Sequence, residues 1–328
     1  MGKLRRTAGT LFQSTVDLKW KLRRIARRLF RSTAVSGVDF RIQQRQLLLT
    51  GLLHNEEKAL LKGVSLKLHP KDDMYRAFSA RHYLSVGLSA QRCINEALSY
   101  ARNGRPVKRI LDFPCGHGRV LRFLRRKFPD AEIVACEIDP TALKFCEREF
   151  SVSTVLSNQA ISTVAVPGLF DLIWSGSLLT HLRENDVIEL LRLFYEHLAP
   201  GGLCVFTTHG PISTYWMEHN VETYGLSASA CRELLSEFNQ RQYGYADYHS
   251  QQGYGIAVVS HDRMVELAGS VGDWTESVYF EQGWDNHQDV YGFSRAEANV
   301  PSVRSSPWRV EASDRGLKKR QGVWPSAF

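Results

Sequence analysis

The sequence predicts an α/β fold: a parallel sheet with helices on both faces, preceded by a helical N-terminal extension. Three observations predict it. From about residue 107, short apolar runs alternate with amphipathic stretches, as strands and helices do when the strands are buried on both faces. The first apolar run ends in a turn built of Asp, Pro, Cys and Gly, "RILDFPCGHGRVLRFL" (109–124). The chain has 328 residues and 43% hydrophobic content, ample for one buried core with chain left over for extensions.

Residues 1–33 read as a basic arm. Residues 1–31 hold ten Lys or Arg against one acid, Asp17, so they carry +9 while the remainder sums to −1. The near-neutral body disfavours a nucleic-acid groove. Within the arm, Leu18, Leu22, Ile25 and Leu29 line one helical face, and Arg23, Arg24, Arg27, Arg28 and Arg31 fall mostly on the other. Such a helix, 18–31, suits an anionic bilayer, which would make the protein peripheral at the inner membrane surface. Equally, the stripe could pack on the body with its arginines solvated. Residues 36–72 carry "RQLLLTGLLHNEEKALLKG", one or two helices closed by Gly63, and complete the extension 1–72. Residues 73–104 are helical too, ended by Gly104-Arg-Pro106.

Strands are expected at 107–113, 131–138, 153–157, 170–176 and 203–209, with helices at 117–127, 140–149, 159–164 and 184–198. Residues 211–255, rich in Tyr and Trp, read as an insertion that would act as a lid over an acceptor pocket. A helix near 261–270 and strands at 276–281 and 288–295 follow. The tail, 296–328, is polar and proline-containing and reads as flexible. No apolar run approaches the roughly 20 residues of a membrane span. Six scattered cysteines without a CxxC pair suit reduced thiols in the cytoplasm and give no metal site.

The glycine turn sits where open α/β sheets bind ligands, at the carboxyl end of the first strand. A dinucleotide site wants G-x-G-x-x-G, but Leu121 stands at the third position, which argues against NAD. Glu137, 19 residues after Gly118 in "IVACEIDP", suits a ribose diol, because a carboxylate accepts both hydroxyl hydrogens. Asp139-Pro140 then reads as helix N-cap and first helical residue.

Asp112-Phe113-Pro114-Cys115-Gly116-His117-Gly118 resembles the D-x-G-x-G-x-G motif of the class I S-adenosylmethionine-dependent methyltransferases, with Pro114 in place of the first glycine. "FDLIWSGSLLTHL" (170–182) resembles that family's fourth strand, "LAPGGLCVFTTHG" (198–210) its turn into the fifth, and "VYFEQGWDNHQDVYGFSR" (278–295) its last hairpin. The resemblance covers about 75–295. It implies a Rossmann-like seven-stranded sheet whose last strand runs antiparallel between the fifth and sixth. It implies a catalytic domain at 73–295 and S-adenosyl-L-methionine as cofactor. Gly116 and Gly118 would let the backbone approach the methionine portion, and Asp112 would help hold its amino group. Glu137 would take the ribose and Asn158 would lie near the adenine. Phe113, Pro114, Cys115, Ile138, Ser175 and Gly176 complete the implied cofactor-binding set.

His181 and His209, after the fourth and fifth strands, are the candidate general bases, with His287 a third. Each could instead hydrogen-bond within a loop. His117, inside the turn, is expected to contact the ligand or cap the helix. A small molecule, a sugar or a lipid-linked saccharide is the expected acceptor. The alternative is a non-catalytic cofactor-binding scaffold recruited by its basic helix. The sequence leaves the oligomeric state open.

Overall fold

The computed structural model describes residues 37–75, 80–101, 104–249 and 251–296. The basic arm with its membrane reading, and the tail beyond Ala296, lie outside the described residues.

Three helices lead in: α1 Gly37–Leu49, α2 Asn55–Gly63 and α3 Ala80–Ala101. The α/β part follows as β1 Arg109–Asp112, α4 Leu121–Lys127, β2 Glu132–Glu137, α5 Pro140–Phe150, β3 Ser153–Leu156, β4 Phe170–Ser175, α6 Glu184–His197 and β5 Leu198–Thr208. Then come α7 Pro211–Glu218, α8 Ala228–Arg241, β6 Tyr243–Tyr248, β7 Gln251–Val259, α9 His261–Gly269, β8 Trp274–Trp284 and β9 Gln288–Arg295.

Seven strands form one sheet in the order β3-β2-β1-β4-β5-β9-β8. β1 pairs in parallel with β2 on one side and β4 on the other, so the order reverses at β1. That reversal opens a crevice at the carboxyl ends of β1 and β4. β9 is antiparallel to both β5 and β8, and lies between them. Asp285 and Asn286 (φ 57° and 52°) turn β8 into β9, closed by His287 N–H donating to the Trp284 carbonyl at 3.1 Å. Two positive φ values in this three-residue connection match the strand twist. The tip lands beside the carboxyl end of β5, where Thr208 pairs with Asp289.

Helices cover both faces because their apolar stripes face the sheet. Val187, Leu190, Leu191 and Phe194 of α6 join Met264 and Leu267 of α9 over one face. Val86, Ala90, Ile94 and Ala97 of α3 join Leu121, Leu124 and Cys146 over the other. Asp139 caps α5 through Thr141 N at 2.7 Å, with Pro140 as first residue, as the sequence leads one to expect.

Two expectations need correction. The resemblance of 198–210 to a helix-to-strand turn implies Gly201-Gly202 as a helix C-cap, but they do not cap the preceding helix, which ends at His197. They lie inside β5, where the register with β4 shifts between Phe170↔Leu198 and Leu172↔Leu203. Gly201 (φ +69°) lets the chain bulge there. The helix after the glycine turn starts at Leu121, not 117, because residues 116–120 are spent on the turn itself.

Residues 211–259, which include the expected insertion 211–255, form two helices and a separate two-stranded sheet, β6-β7. Met217, Leu226, Leu234, Ile256 and Val258 give this insertion a small core of its own. At the other end, Phe40, Leu47, Leu61, Tyr83 and Leu84 pack with Phe123 of α4. Arg122, 1% exposed, ties this helical cap to the glycine turn. It donates to Gly118 O at 2.9 Å, Ser65 O at 2.7 Å and the Tyr83 hydroxyl at 3.2 Å. Tyr83 in turn donates to Asp72 at 2.7 Å.

Candidate active site

The glycine turn leaves β1 at Asp112, whose side chain is 1% exposed. Neither carboxylate oxygen has a hydrogen-bond partner. Burial, and then the charge of Glu137, push its pKa well above the ordinary carboxylate range. The Phe113–Pro114 bond is cis. Cys115 N–H donates to Cys136 O at 3.0 Å, which binds the turn to β2.

Glu137, at the end of β2, turns its carboxylate toward the glycine turn. Oε2 accepts from Gly116 N at 2.9 Å, and Oε1 from Ile138 N at 2.7 Å and Asp139 N at 3.2 Å. A carboxylate has about four acceptor positions, so one remains on Oε2. That admits one ribose hydroxyl without giving up a backbone bond, rather than the full diol the sequence suggests. Ile138 next to it is 52% exposed and offers an apolar face at the rim.

The two glycines do different work. A Cβ on Gly116 (φ +50°) would meet nothing within 4 Å, so the missing side chain leaves room for a ligand. A Cβ on Gly118 (φ +82°) would run into the Phe150 ring at 2.3 Å. Gly118 therefore serves helix–turn packing and not ligand approach. A Gly116→Ala variant should keep thermal stability within about 1–2 kcal/mol, the cost of a left-handed non-glycine residue, yet lose nucleoside binding by calorimetry. Gly118→Ala should instead lower the unfolding temperature.

The remaining expected residues scatter. Phe113 packs in the core edge-on to Phe194, centroids 6.1 Å apart. Asn158 spends its carbonyl oxygen on Ala160 N (2.8 Å) and the Thr163 hydroxyl (3.1 Å), so that atom is not free for an adenine amine. Ser175 is fully buried with an unpartnered hydroxyl. Gly176 lies against the rings of Trp174 and Trp284. His117 does not cap α4; it stacks on His69 of the N-terminal cap, centroids 4.7 Å apart.

Three histidines gather at the rim. His181 Nδ1 lies 2.7 Å from Gly255 O. A carbonyl only accepts, so Nδ1 carries the hydrogen and Nε2 the lone pair. Burial lowers its pKa, so the ring is neutral at pH 7. Its face stacks on Tyr254 at 4.8 Å. His209 is 3% exposed, with Nδ1 3.2 Å from Ala257 O, and is enclosed by Tyr224 (4.6 Å) and His287 (5.0 Å). Burial, with His287 and His181 nearby, holds its pKa well below the usual histidine range. His287 pairs through Nε2 with the Tyr224 hydroxyl at 2.7 Å, and burial lowers its pKa to about 4. Of the two proposed bases, His181 is the less enclosed and keeps a lone pair on Nε2.

The sequence missed the β6-β7 hairpin that delivers Tyr248, Tyr254 and the Gly255 carbonyl to His181. The alternation in "YGYADY" and "GYGIAVV" was the signal for it. The charge of Glu137 contributes to a raised Tyr254 pKa, which places the hairpin within electrostatic range of the nucleoside turn.

Residues 111–204 match the family model described as a methyltransferase domain. Over these residues the chain carries a methyltransferase domain. It is 28% identical over 135 residues to a malonyl-[acyl-carrier protein] O-methyltransferase of Bacillus anthracis, covering 41% of this chain and 49% of that one. It is 27% identical over 208 residues to the chloroplastic tocopherol O-methyltransferase of Arabidopsis thaliana, covering 57% and 53%. The match thus spans about half the length of these relatives. DesVI of Streptomyces venezuelae superposes with a TM-score of 0.47 at 14% identity, covering 68% of this chain and 98% of that one.

The residues of the methyltransferase turn suit an adenosyl sulfonium. The unpartnered, buried Asp112 offers a counter-charge to an ammonium. The open side of Gly116 leaves space for the thioether chain, and Glu137 has an acceptor left for a hydroxyl. Among the described residues no helix is long and apolar enough to cross a membrane.

Proposed function

We propose that the chain transfers a methyl group from S-adenosylmethionine to a hydroxyl of a small molecule or sugar, with His181 as general base. The observation that supports this most is Asp112: a buried carboxylate without partners, at the switch point of the sheet, beside an open glycine. The cofactor, when bound, supplies the electrophilic methyl group. Asp112 would hold its amino end, Glu137 a ribose hydroxyl, and Ile138 would cover the base. The chain's own part is alignment and exclusion of water. Tyr254 and Tyr248, carried by the hairpin, flank His181 and shield the rim. His181 Nε2 would take the acceptor proton, while its Nδ1–H stays fixed on Gly255 O and sets the tautomer. Neutral imidazoles and tyrosines line this side, which suits an uncharged ring or sugar face for stacking.

Transfer of label from methyl-labelled S-adenosylmethionine into a cell-extract fraction, followed by identification of the labelled species, tests the activity. Failure to label any species while S-adenosylhomocysteine still binds would turn the reading toward a scaffold. His181→Gln is expected to lower kcat by about 100-fold or more, the usual worth of a positioned base. Because burial lowers its pKa, wild-type kcat should hold level below pH 6.5 and fall only as the ring protonates at more acid pH. An unchanged kcat for the variant would remove His181 from the role.

A further inference from the structure

Three consecutive residues tie the loop after β4 to the β6–β7 hairpin. His181 Nδ1–H donates to Gly255 O at 2.7 Å, and Leu182 O accepts from the Tyr243 hydroxyl at 2.8 Å. One Arg183 nitrogen donates to both oxygens of Asp247, at 2.9 and 3.2 Å. The Arg183 guanidinium also lies over the Tyr245 ring, 5.5 Å from its centroid.

Asp247 does more than meet Arg183. The hairpin register jumps from Asp247↔Gly255 to Tyr248↔Gln251, so residues 252–254 bulge out of the ladder. A bulge re-aims the groups beside it. This one carries two groups to His181: the Tyr254 ring, stacked on the imidazole, and the Gly255 carbonyl. Where the ladder stops, the Asp247 carboxylate takes over. Its Oδ1 accepts from Gly253 N at 2.9 Å and from the Tyr245 hydroxyl at 2.7 Å. Gly253 sits at φ +80°, and a Cβ on Gly255 would collide with the Ala246 carbonyl, so a glycine on either side of Tyr254 lets the backbone turn tightly. The Arg183 and Asp247 side chains are 48% and 35% exposed, so their ion pair adds little to stability. What it fixes is the spacing between the His181 loop and the bulge.

We propose that Asp247 is a positioning residue for His181: it holds the bulge whose Gly255 carbonyl keeps the hydrogen on Nδ1 and the lone pair on Nε2. The proposal rests on the reading of His181 as general base. The full chain and its Asp247→Ala, Asp247→Asn and Arg183→Gln variants test it. Long-range proton–nitrogen NMR reads the His181 tautomer, with His181→Gln identifying the signal. Methyl-labelled S-adenosylmethionine with cell extract reads the transfer rate, and calorimetry with S-adenosylhomocysteine reads the cofactor site. Wild type is expected as the Nδ1–H tautomer. Asp247→Ala frees the bulge, so the signal moves toward the Nε2–H form that a free imidazole side chain prefers. Labelling then slows by about 10- to 100-fold, as for a reacting group displaced by about an ångström. S-adenosylhomocysteine binding stays unchanged. Asp247→Asn keeps an oxygen for Gly253 N and Tyr245 but turns its NH2 group toward Arg183. Arg183→Gln breaks the same link from the other side. Both variants should fall between wild type and Asp247→Ala in tautomer and in rate, whereas a merely structural role would lower the unfolding temperature and leave the tautomer alone. A wild-type tautomer in Asp247→Ala, or a shifted one with undiminished labelling while His181→Gln is slow, overturns the assignment. If Asp247→Ala does not fold, a wild-type tautomer in both milder variants overturns it equally. If His181→Gln labels as fast as wild type, the base reading falls instead, and the tautomer alone decides whether Asp247 orients the ring.

Discussion

Glu137→Ala is expected to cost both nucleoside affinity and stability, because one carboxylate serves two ends. It accepts from Gly116 N on one oxygen and from Ile138 N and Asp139 N on the other. Hydrogen bonds to a charged acceptor are worth roughly 1.5–3 kcal/mol each. Three are lost together, and water entering the opened rim recovers part, so a net loss of about 2–4 kcal/mol is expected. S-adenosylhomocysteine affinity should fall by about 100-fold or more, since the acceptor for the ribose goes and the Gly116 turn loosens. Glu137→Gln separates the two effects. Its amide oxygen can keep the Ile138 and Asp139 bonds, while its NH2 group faces the Gly116 N–H, donor against donor. Thermal unfolding should therefore recover in part and calorimetric affinity should not. A variant that binds S-adenosylhomocysteine like wild type would remove Glu137 from the cofactor site.

Asp112→Asn should act in the opposite direction on stability. The carboxylate is buried without partners, and burial with the Glu137 charge raises its pKa. A carboxyl group with a raised folded-state value binds its proton more tightly folded than unfolded. Its stability is full below the unfolded value of about 4 and is lost as pH rises through the raised value. The ligand-free asparagine variant should therefore melt higher than wild type by roughly 2–5 °C at pH 8. The gap should close as the pH is lowered toward 4. Affinity for S-adenosylhomocysteine should drop by about tenfold or more, because the amino end has lost its counter-charge. Calorimetry and melting curves across pH on the same two proteins check both halves. A variant that melts lower at pH 8 would mean that Asp112 already has a partner in the ligand-free protein.

The parallel core of the fold was legible because its signals are local. Apolar runs such as "ILDF" and "IVAC" mark buried strands, and Asp139-Pro140 marks a helix start. Glu137 and Gly116 were legible because strand–turn–helix geometry ties them to fixed offsets. What was not legible depends on contacts distant in sequence. Gly116 and Gly118 look alike until Phe150, 32 residues on, is seen to fill one and not the other. The free base position of His181 depends on the carbonyl of Gly255, on a hairpin 74 residues away. Asn158 sits where an adenine contact was expected, but a side chain that can bond two residues ahead competes for its own turn. Phe113 shows the limit of a motif: it stands between Asp112 and Gly116 in the implied cofactor set, yet its ring packs in the core edge-on to Phe194.

The arginine clasp from Arg122 to Ser65, Gly118 and Tyr83 limits how this chain could be cut or borrowed. A fragment started at Ala80 would keep every described strand together with Asp112, Gly116 and Glu137, yet would take the Ser65 and Lys67 carbonyls from the buried Arg122 and bare the Phe123 ring. Residues 37–75 are thus part of the smallest portable unit, and a chimaera that swaps them must bring its own answer to Arg122.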